Sequence, residues 1–561
     1  MDIKRTVLWV VFSMSLLILW DNWMRHNGKP SMFSFTPSSQ AQQSKNASAS
    51  ASGSSAASTT ANSNVSANGV ATGTDPAVVK NEHITITTDV IKADIDTLGG
   101  EISRLELLKY KDVDDHTKNV VLFNESAKRT YLAQTGLMGG AFPNHKSSFT
   151  AKPGVRTMDA GDKVQLVLES ELNGVKLTKT YTFKKGDYVI DVKHDVTNNS
   201  PVAITPSLYL QLLHDGTKPE NGGMFSASRE FYAPAVYTES DHFQKLDFQK
   251  IEKDSANPDA KPNHATKADN GWVAVLQHFF VSAFIPQDKA PRTIVTEKVK
   301  DNLYAVATIL PMGSIAPGAT VSMDARLYSG PQESDKLEKI SPGLDLVKDY
   351  WYFAIIAKPM FWLMELIHKL LGNWGWTIVV FTISIKLVLF PLSAAGYRSM
   401  AKMKVLTPKM QAVRERHKDE PQKMNQAMME LYKTEKINPL GGCLPILIQM
   451  PVFLSLYWVL QASVEMRGAP WVGWITDLTA PDPWYILPVL YAISMFVTAK
   501  LNPKPADPMQ AKMMMFMPLA FSVMFFFFPA GLVLYWVVNN VLSIAQQWVI
   551  NNKLIPPEHK S

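Results

Sequence analysis

The chain has 561 residues, of which 46% are hydrophobic, 19% are charged and one is cysteine. Its length leaves room for several domains at roughly 100–200 residues each, and its charged share falls below the usual ~25% of soluble domains. A disulfide-stapled fold and a thiolate zinc site are excluded because Cys443 has no second cysteine, and a net charge of +6 is too weak alone to indicate nucleic acid.

Lys4 and Arg5 precede an apolar run from Thr6 to Trp20. Such a run is a signal-peptide core or a short membrane anchor. Asp21, Asn22, Trp23, Met24 and Arg25 follow in place of a small-x-small cleavage site, which favours an uncleaved anchor over 1–26. The two cations hold the N-terminus in the cytoplasm, so the chain emerges on the outer side. Residues 27–79 are rich in Ser, Ala and Asn and hold few large apolar side chains. They cannot bury enough surface to offset ordering entropy, and read as a disordered linker.

From about residue 80 the hydrophobic period becomes two. Ile84 and Ile86 alternate with threonines, and Val164, Leu166 and Leu168 with polar residues. Asn173-Gly174 is a hairpin signal before Val175, Leu177, Tyr181 and Phe183. A Lys185-Gly186-Asp187 turn leads into Tyr188, Ile190 and Val192, and strand-like runs recur at Trp272–Ile285, Leu303–Leu310 and Val321–Leu327. The pattern predicts one large antiparallel β domain over 80–340, a sandwich on the outer face of the membrane. Over 341–373, Tyr350, Phe353, Ile356, Met360, Phe361, Leu363 and Ile367 are interrupted by Lys348, Lys358, Glu365, His368 and Lys369. That spacing suits an amphipathic helix in the membrane surface better than a spanning or soluble core helix.

Apolar segments then run over Trp376–Ala395, Pro439–Gln461, Tyr485–Lys500, Met513–Phe528 and Gly531–Ile550. With the anchor they predict an α-helical polytopic bundle of about six spans. Residues 374–396 form its first core span, 439–550 a four-span core and 551–561 a cytoplasmic tail. Trp374, Trp376, Trp471, Trp474, Trp484, Tyr485 and Trp548 fall near span ends, as in an interfacial aromatic belt. Residues 397–438 carry Arg398, Lys402, Lys404, Lys409, Arg414, Arg416, Lys418, Lys423, Lys433 and Lys436, whereas 463–483 carries only Arg467 among Lys and Arg. The positive-inside rule therefore places 397–438 in the cytoplasm and the β domain in the periplasm. Met403, Leu406, Met410 and Val413 form one stripe; Met424, Ala427, Met428 and Leu431 form another after Pro421. They predict a helical hairpin whose methionines either pack on each other or offer an adaptable surface to clients. Its cations suit ribosomal RNA, anionic lipid or plain solvation.

Lys386 lies ten residues past Trp376, inside an apolar run, so about 15 Å deep at 1.5 Å per residue. A lysine at that depth costs roughly 2.5–3.5 kcal/mol on insertion scales. No acidic residue stands in the neighbouring spans to pair with it, so a water-filled chamber is the expected resolution. Thr382 sits one turn earlier on the same face. Gln449, Ser455, Gln461, Ser494, Thr498, Ser522, Asn539, Asn540, Ser543, Gln546 and Gln547 supply further polar groups, either as chamber lining or as glue between helices. Two spans of about 16 residues reach about 24 Å, less than the hydrocarbon thickness of roughly 30 Å, and predict local thinning or a water-accessible notch. The Met513–Phe528 span offers a greasy face to lipid or to an incoming helix. Motifs of serine hydrolases, zinc proteases and nucleotide-binding folds are missing, so no catalytic residue, cofactor or metal is expected.

Four segments resemble the YidC–Oxa–Alb family of membrane protein insertases: Tyr397–Met403, Asn438–Pro451, Asp507–Gln510 and Gly531–Tyr535. The resemblance extends over the whole chain and is strongest over 374–550. It implies insertion and chaperoning of nascent inner-membrane proteins through a groove open to cytoplasm and lipid. The partners it implies are the SecYEG translocon, accessory SecDF and, at the hairpin, a translating ribosome. It implies a periplasmic β-supersandwich like that of carbohydrate-binding folds, and a client groove around Lys386, Thr382, Gln449, Ser455, Tyr535, Trp536, Asn539 and Asn540. The family usually has arginine where this chain has Lys386, and a second tyrosine can stand at the place of Trp536. A point-charge lysine attracts a client carboxylate without clamping it in two places. The competing readings are a small-molecule or proton-coupled transporter or channel using Lys386, and a glycan or lipid receptor built on the β domain.

Overall fold

The computed structural model describes residues 82–550, except 113–114, 116, 127–128, 160, 218–231, 258–260, 351–352, 418–419, 436–443, 502–514, 517–519 and 521. The expected anchor, linker and tail, and residues 438–443 and 507–510, lie outside the described residues. Pro408–Lys436 belongs to a compact unit distinct from the one that holds the β domain and the other helices.

Alternating inward residues build a sandwich of two antiparallel sheets, of ten and nine strands among the described residues. Val164, Leu166, Leu168, Val175, Leu177, Tyr181 and Phe183 all point into its core. Lys163–Leu172 and Val175–Lys184 pair through Leu172 and Val175, leaving a two-residue turn. Asn173 and Gly174 take φ of 53° and 73°, the left-handed pair that a type I′ hairpin requires. The run Trp272–Ile285 is not one strand. It folds into Trp272–Leu276 and Phe280–Pro286, paired as a hairpin. Both strands are buried on both faces, which is why the run shows no alternation there. Helix α1 (Phe248–Ala256) is capped by the Asp247 side chain, and α2 (Ser334–Ile340) follows the last strand.

Helix α3 (Ala354–Leu371) ends on Gly372 at φ 65°, a left-handed cap. It buries Ala357, Met360, Phe361, Met364 and Ile367 and leaves Ile355, Trp362, Leu366 and Leu370 exposed. Asn373 then caps α4 (Trp374–Val388), and α5 (Phe390–Arg416) follows at once. The apolar segment 376–395, expected as one crossing, is bent by 68° between α4 and Phe390–Met400. Pro391 accounts for the break, because it has no N–H and its ring collides with the preceding turn. Among the described residues the remaining α-helices are α6 (Pro421–Thr434), α7 (Leu444–Ala462), α8 (Ile486–Leu501) and α9 (Ala530–Val549). The helix expected over 513–528 closes in a 3-10 turn, Val523–Phe527, where described. Among the described residues no single helix is long and apolar enough to cross a membrane, and only the bent pair passes together. Residues of α3, α4, α7, α8 and α9 share a second core.

Candidate functional site: a buried lysine among polar groups

Lys386 is 8% exposed, on the face of α4 turned toward α9. Its Nζ donates to Ser543 Oγ at 2.8 Å. Ser543 passes its own hydrogen to the Asn539 carbonyl at 2.7 Å. No carboxylate lies within ion-pair distance of Lys386 among the described residues. Thr382 is buried one turn earlier, but its hydroxyl donates back to the Ile378 carbonyl at 2.6 Å. It shares the lysine's face without bonding to it.

Gln449 on α7 donates its side-chain N–H to the Tyr535 hydroxyl on α9. Asn540 donates to Ser494 Oγ at 3.0 Å, and Ser494 donates to the Tyr491 carbonyl at 2.7 Å. Trp536 is half-buried, its ring 4.8 Å from Phe453 and 6.0 Å from both Tyr491 and Phe525. Ser455 Oγ, Asn539 Oδ1, Gln546 Oε1 and Trp536 Nε1 are buried without a protein partner among the described residues. An unmade bond of this kind costs about 1–3 kcal/mol. One cation and four unmet polar atoms in one helical core can receive water or a polar segment of another chain. Met403 is half-buried on α5, and Met410, Met424 and Met428 are half-buried in the unit of Pro408–Lys436. Lys409 and Glu435 close that unit with an ion pair at 2.7 Å.

Residues 83–363 match the family described as YidC periplasmic domain, and residues 366–557 that described as 60Kd inner membrane protein. The membrane protein insertase YidC of Janthinobacterium sp. (strain Marseille) is 62% identical over 99% of both chains. The chain belongs to the YidC family of membrane protein insertases. The YidC protein of Herminiimonas arsenicoxydans is 61% identical over 100% of both chains. A crystal structure of an active YidC insertase with its first transmembrane domain resolved covers 83% of this chain and 92% of its own, at 18% identity and a TM-score of 0.39. As a YidC insertase the protein is an inner-membrane protein, not an enzyme, and its β sandwich is periplasmic.

Three polar arrangements in this YidC chain escaped the sequence reading. Asp482 is 1% exposed and accepts from Trp474 Nε1 at 2.9 Å, Trp484 N at 3.0 Å and Leu487 N at 2.7 Å. Its signal was an aspartate just ahead of an apolar helix. Lys348 donates to both Glu465 oxygens, at 3.0 and 3.1 Å, and no local pattern links residues so far apart. Lys179 is wholly buried, donating to the Gly99 and Thr135 carbonyls at 2.6 and 2.8 Å. Burial pushes the Lys179 ammonium down to about 7 and the nearby Glu101 carboxyl up to about 8. The signal for Lys179 was parity, since it shares the face of Leu177 and Tyr181.

Proposed function

We propose that this insertase moves polar client segments through a hydrophilic groove lined by Lys386, Thr382, Gln449, Ser455, Tyr535, Trp536, Asn539 and Asn540. The observation that carries the reading is the buried Lys386, whose Nζ has a serine hydroxyl but no carboxylate partner among the described residues. A client's acidic segment entering from the cytoplasm meets this charge, and the helices around it carry the unmet polar atoms of Ser455, Asn539 and Trp536. The client's apolar helix then slides along α7 and the 513–528 segment into lipid. Apolar burial drives that step at roughly 25 cal/mol per Å². No nucleotide or cofactor takes part.

The surrounding topology has about six crossings, both termini in the cytoplasm and the α5–α6 hairpin on the cytoplasmic side. Met403, Met410, Met424 and Met428 on the hairpin give clients a deformable first contact. The translating ribosome and the SecYEG and SecDF machinery are its partners for larger clients, and lipids reach the groove from the side. The exposed apolar residues of α3, flanked by Lys358 and Lys369, suit the membrane surface.

Insertion of single-spanning clients with acidic translocated tails tests the reading. Lys386→Ala lowers their insertion into vesicles holding the full-length protein, by about tenfold where ~1.4 kcal/mol of attraction is lost. Lys386→Arg inserts them normally. Undiminished insertion by the alanine variant removes the proposed role of the charge.

A further inference from the structure

The segment between α7 and α8 joins the β domain to the helical core residue by residue. Its first turn, Val464–Met466, is a 3-10 helix. Val464 belongs to the sandwich core, whereas Met466 belongs to the helical core. Between them Glu465 points at Lys348, which follows the turn Leu344–Val347. The Lys348 side chain has no exposed surface, and its Nζ also stands 3.9 Å from the centre of the Phe361 ring on α3. Two further bonds flank the pair. His278 Nε2 donates to the Gln461 carbonyl in the last turn of α7 at 2.7 Å. Arg467 donates to the Lys111 carbonyl at 2.7 Å, its guanidinium lying over the Phe279 and Phe280 rings.

An ion pair with a buried lysine and a half-buried glutamate is a poor device for stability, because well-packed apolar residues of like volume do as well or better. It is a good device for register, because its bonds have direction. α7 carries Gln449 and Ser455, and a helix turns through about 100° per residue at 3.6 residues per turn. A slip of one residue at its end therefore swings Gln449 away from Tyr535. We infer that residues 461–467 are a latch through which Lys348 and Glu465 fix the rotation and height of the groove helix α7, as positioning residues for insertion that touch no client. The inference rests on the groove reading given above.

The test uses the full-length protein in vesicles, a stalled client with an acidic tail, and a photo-crosslinking residue at position 449. Lys348→Met/Glu465→Gln removes both charges together, so no uncompensated charge is buried. The expected result is protein folded to the parent's extent, with crosslinking from 449 and insertion both reduced about fivefold or more. Lys348→Arg retains both. A folded double variant that crosslinks and inserts like the parent overturns the latch, as does insertion that falls only in step with the folded amount. Absence of the 449 crosslink in the parent itself overturns the groove reading instead, and the latch with it.

Discussion

His194 has no exposed surface, and its Nε2 meets Thr135 Oγ1 at 3.0 Å. Burial, and secondarily the Lys179 charge, hold its pKa down to about 3, against 6.5 for a free histidine. Below pH 6.5 the unfolded chain takes up a proton that the folded chain refuses. Stability from this group is therefore complete above 6.5 and falls with pH, by up to about 1.4 kcal/mol per unit, until the folded value is reached. Glu101 acts in the opposite sense. Burial raises its carboxyl to about 8 from 4.5, so its contribution is complete below 4.5 and is lost as pH rises toward 8. Replacing His194 isolates one slope from the other. The stability gap between the parent and His194→Gln should shrink by about 2 kcal/mol from pH 7.5 to 5.0, in urea titrations of the full-length protein followed by circular dichroism. An unchanged gap contradicts a neutral, buried His194. Charged residues in the core differ in legibility for a plain reason. Lys386 announced itself because its run, 377–391, holds no other charged residue. Lys179 did not, because its residue type suggests a solvent-facing side chain although its position has the inward parity of Leu177 and Tyr181.

Helix α8 begins under a single carboxylate. Asp482 accepts from the Leu487 amide in its first turn and holds the Trp474 indole, which stacks on Trp484 with ring centres 5.6 Å apart. Asp482→Ala frees the cap and the indole together, and should cost about 1–2 kcal/mol. Asp482→Asn keeps an acceptor and loses less. Thermal melting orders the three proteins, and the tryptophan emission of the alanine variant shifts to the red as the stack opens. At this scale the sequence reveals strands better than helices. Asn173-Gly174 names its turn type outright, since both residues tolerate left-handed φ. Hydropathy alone marks the 376–395 segment as apolar but is blind to its direction, and the bend at Pro391 follows from one missing N–H. The run Trp272–Ile285 hides its turn because the connection, Gln277-His278-Phe279, holds none of the Gly, Pro, Asn or Asp residues that mark a turn.

Among the described residues two large cores meet in a seam. One is the sandwich, extended by Leu344, Val347 and Val464; the other holds Met360, Phe381, Leu456, Val533 and Tyr535 of the helices. Sequence composition separated the two by periodicity, but could not show the seam, whose contacts pair residues more than a hundred positions apart, as Lys348 does with Glu465. The cores also differ in what surrounds them. Val489, Leu490, Ile493, Phe496, Val541 and Trp548 face outward from the helices, whereas charged side chains such as Lys184, Lys193 and Arg326 face outward from the sandwich, each bonded to a carboxylate. The helical core therefore depends on an apolar solvent and the sandwich does not. Calorimetry of the full-length protein should show two heat-absorbing transitions. Changing the detergent chain length should move the helical one by about 2–4 °C for each kcal/mol gained or lost. The transition that carries the far-UV sheet signal should stay in place. A single transition that moves as a whole with detergent would mean that the seam, rather than either core, sets the stability of the protein.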